Sequence, residues 1–200
     1  MSRKAFRKGS HQAHETYKGQ HRFEHWYVDN QVYFITVRVR DQIPALQTDA
    51  AKTIFWNQFD HYVGKTSYVP WVTSLLDNHY HTLGYLRIGL DLPLLMRGLH
   101  GSVAKRVNDL LETRIVPFWV GAGHQNYFDG CIRNEQQARR AFRYTLTQCR
   151  RHGICPQWEH YPHTRVNVDV ERAVRRSHEL KAFMESVPYK RYQSQGISRQ

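Results

Sequence analysis

Two histidines one residue apart, His79-Tyr80-His81, are the first place in the chain where residue type and spacing point to chemistry. On a β-strand successive side chains alternate between faces, so both imidazoles project the same way, about 7 Å apart, and can share one metal ion. A chain with 13 histidines is apt to hold such a triplet by chance, so the pair carries weight only with a partner elsewhere. That partner is a helix expected over 134–151. Ala138, Phe142, Leu146 and Cys149 recur there at three- and four-residue intervals as an apolar stripe, while Arg140, Tyr144, Gln148 and Arg151 repeat the spacing on nearly the opposite face. From Arg133 to Arg151 six arginines stand against one glutamate, a helix surface suited to phosphates.

Other residues invite chemistry less strongly. Cys149, His152 and Cys155, with His160 or His163 as a fourth, have spacing that tempts a zinc reading; Cys149 belongs to the apolar stripe, however, and no ligand pair is closely spaced in the manner of known zinc sites. Asp129 and Asp169 are isolated carboxylates, more ordinary on a surface than on a metal. Trp26, Tyr27, Trp119 and Tyr127 can either stack on unpaired bases or line the edge of a core.

The elements that must position these residues follow from the hydrophobic pattern. Gln31 to Val39 is β-branched, aromatic and apolar on both faces, as in a central strand. Thr48 is an N-cap for a helix that runs to Gly64, and 68–74 and 79–86 are strands closed by an Asp77-Asn78 turn. A long helix over 91–112, short strands over 115–120 and 127–132, the helix over 134–151 and another near 168–186 complete the order. Hairpins without strict βαβ alternation imply an α+β fold, an antiparallel sheet with helices packed mainly on one face. Three segments are expected: a basic arm over 1–25, a folded domain over 26–158 and a helical, polar tail over 159–200.

Composition narrows the partners. In 200 residues, 29 Lys and Arg against 17 Asp and Glu give a formal charge of +12, which favours polyanions. Three cysteines without a CxxC pair fit a reducing cytoplasm, and the longest apolar run, Val32 to Ile35, is too short to cross a bilayer.

The motifs taken in order are Asn78-His79-Tyr80-His81 after a β-rich segment, a helix ending near Lys105-Arg106, Phe118-Trp119, Tyr127-Phe128-Asp129, Tyr144 with Gln148, and His152-Gly153-Ile154. Over residues 26–158 this order resembles the single-tyrosine HUH transposases of the insertion-sequence-200 type, and among them it is similar to the REP-associated tyrosine transposases. Asp77 stands where such proteins commonly have proline, and Gln148-Cys149 where the REP-associated type usually has Asn-Pro. The resemblance implies a ferredoxin-like or RRM-like HUH core, with His79 and His81 as metal ligands, Gln148 as the third and Tyr144 as the nucleophile. It also implies Mg²⁺ or Mn²⁺ as the ion, single-stranded DNA with a REP-like hairpin as the partner, and a bacterial cytoplasmic, nucleoid-associated protein that is a monomer or homodimer. At neutral pH only about 0.1% of an ordinary phenol is ionised, so the nucleophile needs positive neighbours, for which Arg140, Arg143 and the metal are the candidates. Lys105, Arg106, Arg139, Arg140, Arg143, Arg150 and Arg151 are the expected DNA contacts. The alternatives are a nucleic-acid-binding protein without catalysis and a replication-type HUH nickase.

The charge of the arm and of the arginine-rich helix makes DNA affinity steeply salt-dependent. Neutralising some six phosphates of a single strand gives a slope of about −4 in log affinity against log salt. Deleting residues 1–22 is expected to flatten that slope without abolishing cleavage at saturating DNA; titrations at several salt concentrations check it, and an unchanged slope means that the arm does not touch the backbone.

Overall fold

The computed structural model of the protein describes residues 27–120 and 127–185, together with the two-residue strands β1 (Thr16–Tyr17) and β2 (Gln20–His21), which pair with each other. The rest of the expected arm, Trp26 and the Gly121-Ala122-Gly123 segment lie outside the described residues. The main sheet contains β3 (Gln31–Val39), β4 (Tyr68–Leu75), β5 (His79–Leu86), β6 (Trp119–Val120), β7 (Phe128–Cys131) and β8 (Thr164–Val166). Its order is β6-β3-β5-β4-β8, all antiparallel, with β7 on β3 beside β6. The expected α+β architecture is present.

Both faces of this sheet are covered. On one side Tyr33, Ile35 and Val37 of β3 and Tyr80 of β5 pack against Phe55 and Phe59 of α1 (Asp49–Val63) and Leu95 and Leu99 of α2 (Asp91–Asn108). Thr48 caps α1 by accepting from the Ala51 amide, and Gly98 lets α2 approach α1 closely, since a Cβ there would lie 2.3 Å from the Tyr62 ring. On the other side Val32, Trp71, Val72 and Leu83 pack against Ala138 and Phe142 of α3 (Glu135–Leu146) and Val174 of α5 (Val170–Glu185). The expectation of helices mainly on one face is therefore corrected. A strand apolar on both faces must bury both.

The sequence boundaries shift for identifiable reasons. The second helix stops at Asn108, whose carboxamide turns back to bond both the amide and the carbonyl of Ile115; those bonds hold Ile115 off the sheet and leave Trp119–Val120 as the strand. The folded unit continues past residue 158. Strand β8 pairs with β4, Ser74 and Thr164 share a 2.8 Å hydroxyl bond, and Val174 is fully buried in the second core, so most of the expected tail is part of the domain. Trp119 and Tyr127 are core residues rather than stacking platforms. Among the described residues no helix is long and apolar enough to cross a membrane.

His100 of α2 is buried between the sheet and Trp119, with its Nε2 hydrogen-bonded to the Tyr80 hydroxyl at 2.9 Å. Burial pushes its pKa down to about 3, whereas an unfolded imidazole takes a proton near pH 6.5. Its contribution to stability is complete above that pH and is lost as pH falls from about 6.5 toward 3. Unfolding free energies from urea titrations across this window are expected to fall less steeply for His100→Gln, by up to about 1.4 kcal/mol per pH unit, the effect of one proton.

Candidate active site

His79 and His81 open β5 and point to the α3 side of the sheet, where Arg38 of β3 faces His79 and Thr36 faces His81 across the ladder. The ring centroids are 5.1 Å apart and both residues are buried. Asn78 Nδ2 donates to the Gln42 carbonyl at 2.9 Å, which leaves Asn78 Oδ1 against His79 Nδ1 at 2.6 Å. A carboxamide oxygen only accepts, so His79 carries its proton on Nδ1 and keeps the Nε2 lone pair. Thr36 Oγ1 holds His81 Nδ1 at 2.8 Å. Burial, then the neighbouring His152 and Arg38, push His79 down to about 4 against weaker support from Gln148 and Asp77. Burial, followed by His79 and Arg38, pushes His81 down to about 3. Both rings are therefore neutral at ordinary pH.

The turn that introduces β5 is itself anchored. Lys52 of α1, buried, donates to Asp77 at 2.7 Å, and the Asp77 and Asn78 carbonyls accept from the Leu46 and Val39 amides. Opposite it, Asp41 and Gln42 are consecutive non-glycine residues in the left-handed region (φ 52° and 57°), a conformation that persists only where the surroundings enforce it. The Asn78 bond to Gln42 is part of that enforcement.

Asn134 caps α3 by accepting from the Gln137 amide. The helix continues through Thr147 into α4 (Gln148–Arg151), and the Thr145 and Thr147 hydroxyls bond back to the Ala141 and Arg143 carbonyls, a pattern that bends helices. The bend explains one correction. Gln148, on the helix face expected to lie opposite the apolar stripe, is only 1% exposed; its Nε2 donates to the Tyr144 carbonyl and its carboxamide reaches His79. Tyr144 remains 37% exposed, edge-on to His81 at 5.2 Å. The Arg151 guanidinium lies 4.8 Å over the phenol ring. Arg151, rather than Arg140 or Arg143, is thus the arginine seen against Tyr144.

An open cleft of about 560 Å³ is bordered by Thr36, Arg38, Asp41, Gln42, His81 and Tyr144. Arg38 and Thr36 join the site although sequence reasoning did not single them out, and Asn78 and His152, quoted there in motifs without a role at this site, join it as neighbours of His79. His152, whose ring is 4.7 Å from His79, was signalled by its place one helical turn after Gln148. The other three are brought in by strand pairing and a turn.

The remaining candidates sit elsewhere. Lys105 and Arg106 end α2, which packs on the opposite side of the sheet, and Arg139 is paired with Glu135 and Glu171. Arg140 donates to Gln136, while Arg143 and Arg150 are exposed. Cys149 packs with Leu76 and Tyr161, Cys155 Sγ donates to the Gln157 carbonyl, and Asp169 accepts from the Arg172 amide. Among the described residues no three His, Cys, Asp or Glu side chains gather as a metal-binding group; the convergence here is of two imidazoles and a carboxamide.

No protein-family model and no curated protein matches the chain. Among solved structures it is similar to a REP-associated tyrosine transposase bound to a REP hairpin, with a TM-score of 0.60 and 18% identity over 76% of this chain and 86% of that one. A weaker likeness, TM-score 0.40 at 14% identity over 58% of this chain and 89% of the other, is to a provisionally assigned transposase from Deinococcus radiodurans R1. The first likeness shows that the sheet and its helices have the fold of that transposase.

Neutral, buried imidazoles leave a measurable signature. In the metal-free protein the His79 and His81 ring resonances are expected to show no protonation between pH 8 and roughly 5, with His79 in the Nδ1–H tautomer. Two-dimensional NMR of the histidine rings checks both; a midpoint near 6.5 for either ring contradicts the geometry.

Proposed function

We propose that the protein is an endonuclease and strand transferase for single-stranded DNA, acting through a 5′-phosphotyrosine bond at Tyr144. The observation that carries this reading is the partly exposed phenol of Tyr144 set edge-on to His81, with His79 and the buried Gln148 carboxamide beside it. The fold shared with a tyrosine transposase bound to a REP hairpin supports a transposase-like DNA-binding role, with hairpin-bearing single strands as the substrate class.

His79 and His81 through Nε2, and Gln148 through Oε1, would hold a divalent ion such as Mg²⁺ or Mn²⁺. The fit rests on the donor set. Each imidazole is neutral and engaged at Nδ1, and Gln148 Nε2 is engaged by the Tyr144 carbonyl, which leaves its oxygen as the end turned to His79. When bound, the ion polarises the phosphodiester and stabilises the departing 3′ oxygen.

Tyr144 Oη then attacks phosphorus and the bond to the 3′ oxygen breaks. The phenolic proton passes to solvent, and the 3′ oxygen leaves as a hydroxyl after taking a proton from water. Arg151 over the ring favours the charge that develops on the phenol as its proton departs. The phosphotyrosine ester retains the energy of the broken bond, so a second 3′ hydroxyl can reverse the step without ATP. A single strand bends to bring one phosphate to the phenol, whereas a duplex holds its phosphates in regular geometry.

Incubation with hairpin oligonucleotides and Mn²⁺, read by denaturing gel and by mass spectrometry of the adduct, tests the reading. Tyr144→Phe is expected to abolish nicking and the adduct while leaving hairpin affinity within about 1 kcal/mol, since only a hydroxyl is lost. His79→Ala or His81→Ala is expected to remove metal-dependent cleavage. An adduct on another tyrosine, or nicking undiminished in chelator, would falsify the assignment, and unchanged binding without any adduct would point to a hairpin-binding protein instead.

A further inference from the structure

Arg38 has a position that none of the roles above explains. It lies on β3 directly across from His79 and two residues beyond Thr36, which is bonded to His81. Directly opposed residues of an antiparallel pair share a face with Cβ atoms about 5 Å apart. The Arg38 side chain therefore starts beside the imidazoles, and it lines the cleft together with His81 and Tyr144. It is exposed there, and among the described residues it takes part in none of the ion pairs. Asp41, on the same cleft, is paired with Arg40, and Asp77, in the adjoining turn, is paired with Lys52.

Among the described residues this leaves a guanidinium and two neutral rings, with the Asp41 carboxylate of the cleft already paired to Arg40. The charge of Arg38 is felt at both imidazoles, whose proton affinity it lowers. A cation kept beside neutral donors in a cleft is complementary to an anion, and a guanidinium matches the two nonbridging oxygens of a phosphodiester with parallel hydrogen bonds. Its partner is a backbone phosphate rather than a base edge because Arg38 is rooted next to His79, close to where a phosphate attacked by Tyr144 must sit. The arginines of α3 and α4 differ in kind. Arg139 is neutralised by two glutamates, Arg140 is engaged by Gln136, and Arg151 is engaged by the phenol.

We propose that Arg38 is a catalytic residue that grips the nonbridging oxygens of the phosphodiester attacked in the cleft, a role that rests on the reading of Tyr144 as the nucleophile. In that role it neutralises charge on the phosphoryl oxygens from β3 while the attacking oxygen arrives from α3. Binding and rate both depend on it.

The test separates this contact from the reaction. Full-length Tyr144→Phe protein, which cannot form the adduct, is titrated with hairpin oligonucleotides that each carry a single neutral methylphosphonate at successive positions, with and without Arg38→Ala. Arg38→Ala is expected to weaken binding of the unmodified strand about tenfold, and that loss should vanish at one methylphosphonate position and persist at the others. In protein that retains Tyr144, single-turnover nicking at saturating DNA should fall about 100-fold in Arg38→Ala. Arg38→Lys should recover only part, because an ammonium lacks the two-pronged match. An unchanged thermal midpoint of Arg38→Ala ties these losses to the cleft rather than to folding. The proposal is overturned if the affinity loss is the same at every methylphosphonate position, if affinity does not change, or if the saturating rate is that of the parent protein. Should Tyr144 form no adduct on any hairpin that it binds, the proposed reaction fails by itself, while the methylphosphonate series still reads whether Arg38 holds a phosphate.

Discussion

A slip of one residue between β3 and β5 would carry both imidazoles beneath α1 and α2 and turn Tyr80 toward Tyr144, because side chains along a strand alternate strictly between faces. Everything at the cleft depends on that register, in which Arg38 faces His79 and Thr36 faces His81. Several contacts fix it from outside the ladder. The Asp77-Asn78 turn is bonded to Val39 and Leu46 and paired with Lys52 of α1, and Tyr80 is tied to His100 of α2 on the far side. Gly84, further along β5, accommodates the Tyr68 ring where a side chain would collide with it. These contacts agree with one register and penalise its neighbours.

The same packing sets the electrostatics. Burial disfavours a charged imidazole, and the neighbouring cations add to that effect, so both histidines are held as neutral donors. Their Nδ1 atoms are engaged by Asn78 and Thr36, which fixes ring orientation at little cost, since strand and turn geometry already put those partners in reach. Positive charge therefore gathers around neutral rings, an arrangement complementary to an anion.

The two cores divide the labour. The α1 and α2 side is the larger and holds the sheet, while the smaller core of Val32, Trp71, Leu83, Phe142 and Val174 decides where α3 rests. Because α5 packs against α3 and is joined to it through Arg139 and Glu171, the C-terminal segment helps to position the helix that carries Tyr144. A chain cut at residue 158 would lose β8, the Arg139–Glu171 pair and the Val174 contact together.

Local patterns carried much of this fold. The two-sided apolar run gave β3 its bounds, the Asp77-Asn78 turn marked where β5 begins, Thr48 marked the start of α1, and strand alternation alone placed His79 and His81 on one face. Helical spacing likewise linked Tyr144 to Gln148. These are short-range properties, fixed by backbone periodicity within a few residues. Whether helices covered one face or both was not fixed in that way, nor was the return of β8 to the sheet or the burial of Gln148 by the bend at Thr147. Arg38 and Thr36 were equally illegible as site residues, since nothing near them in the chain says which strand they will face. Those features depend on contacts between segments distant in sequence, whose partners are selected only when the whole core packs.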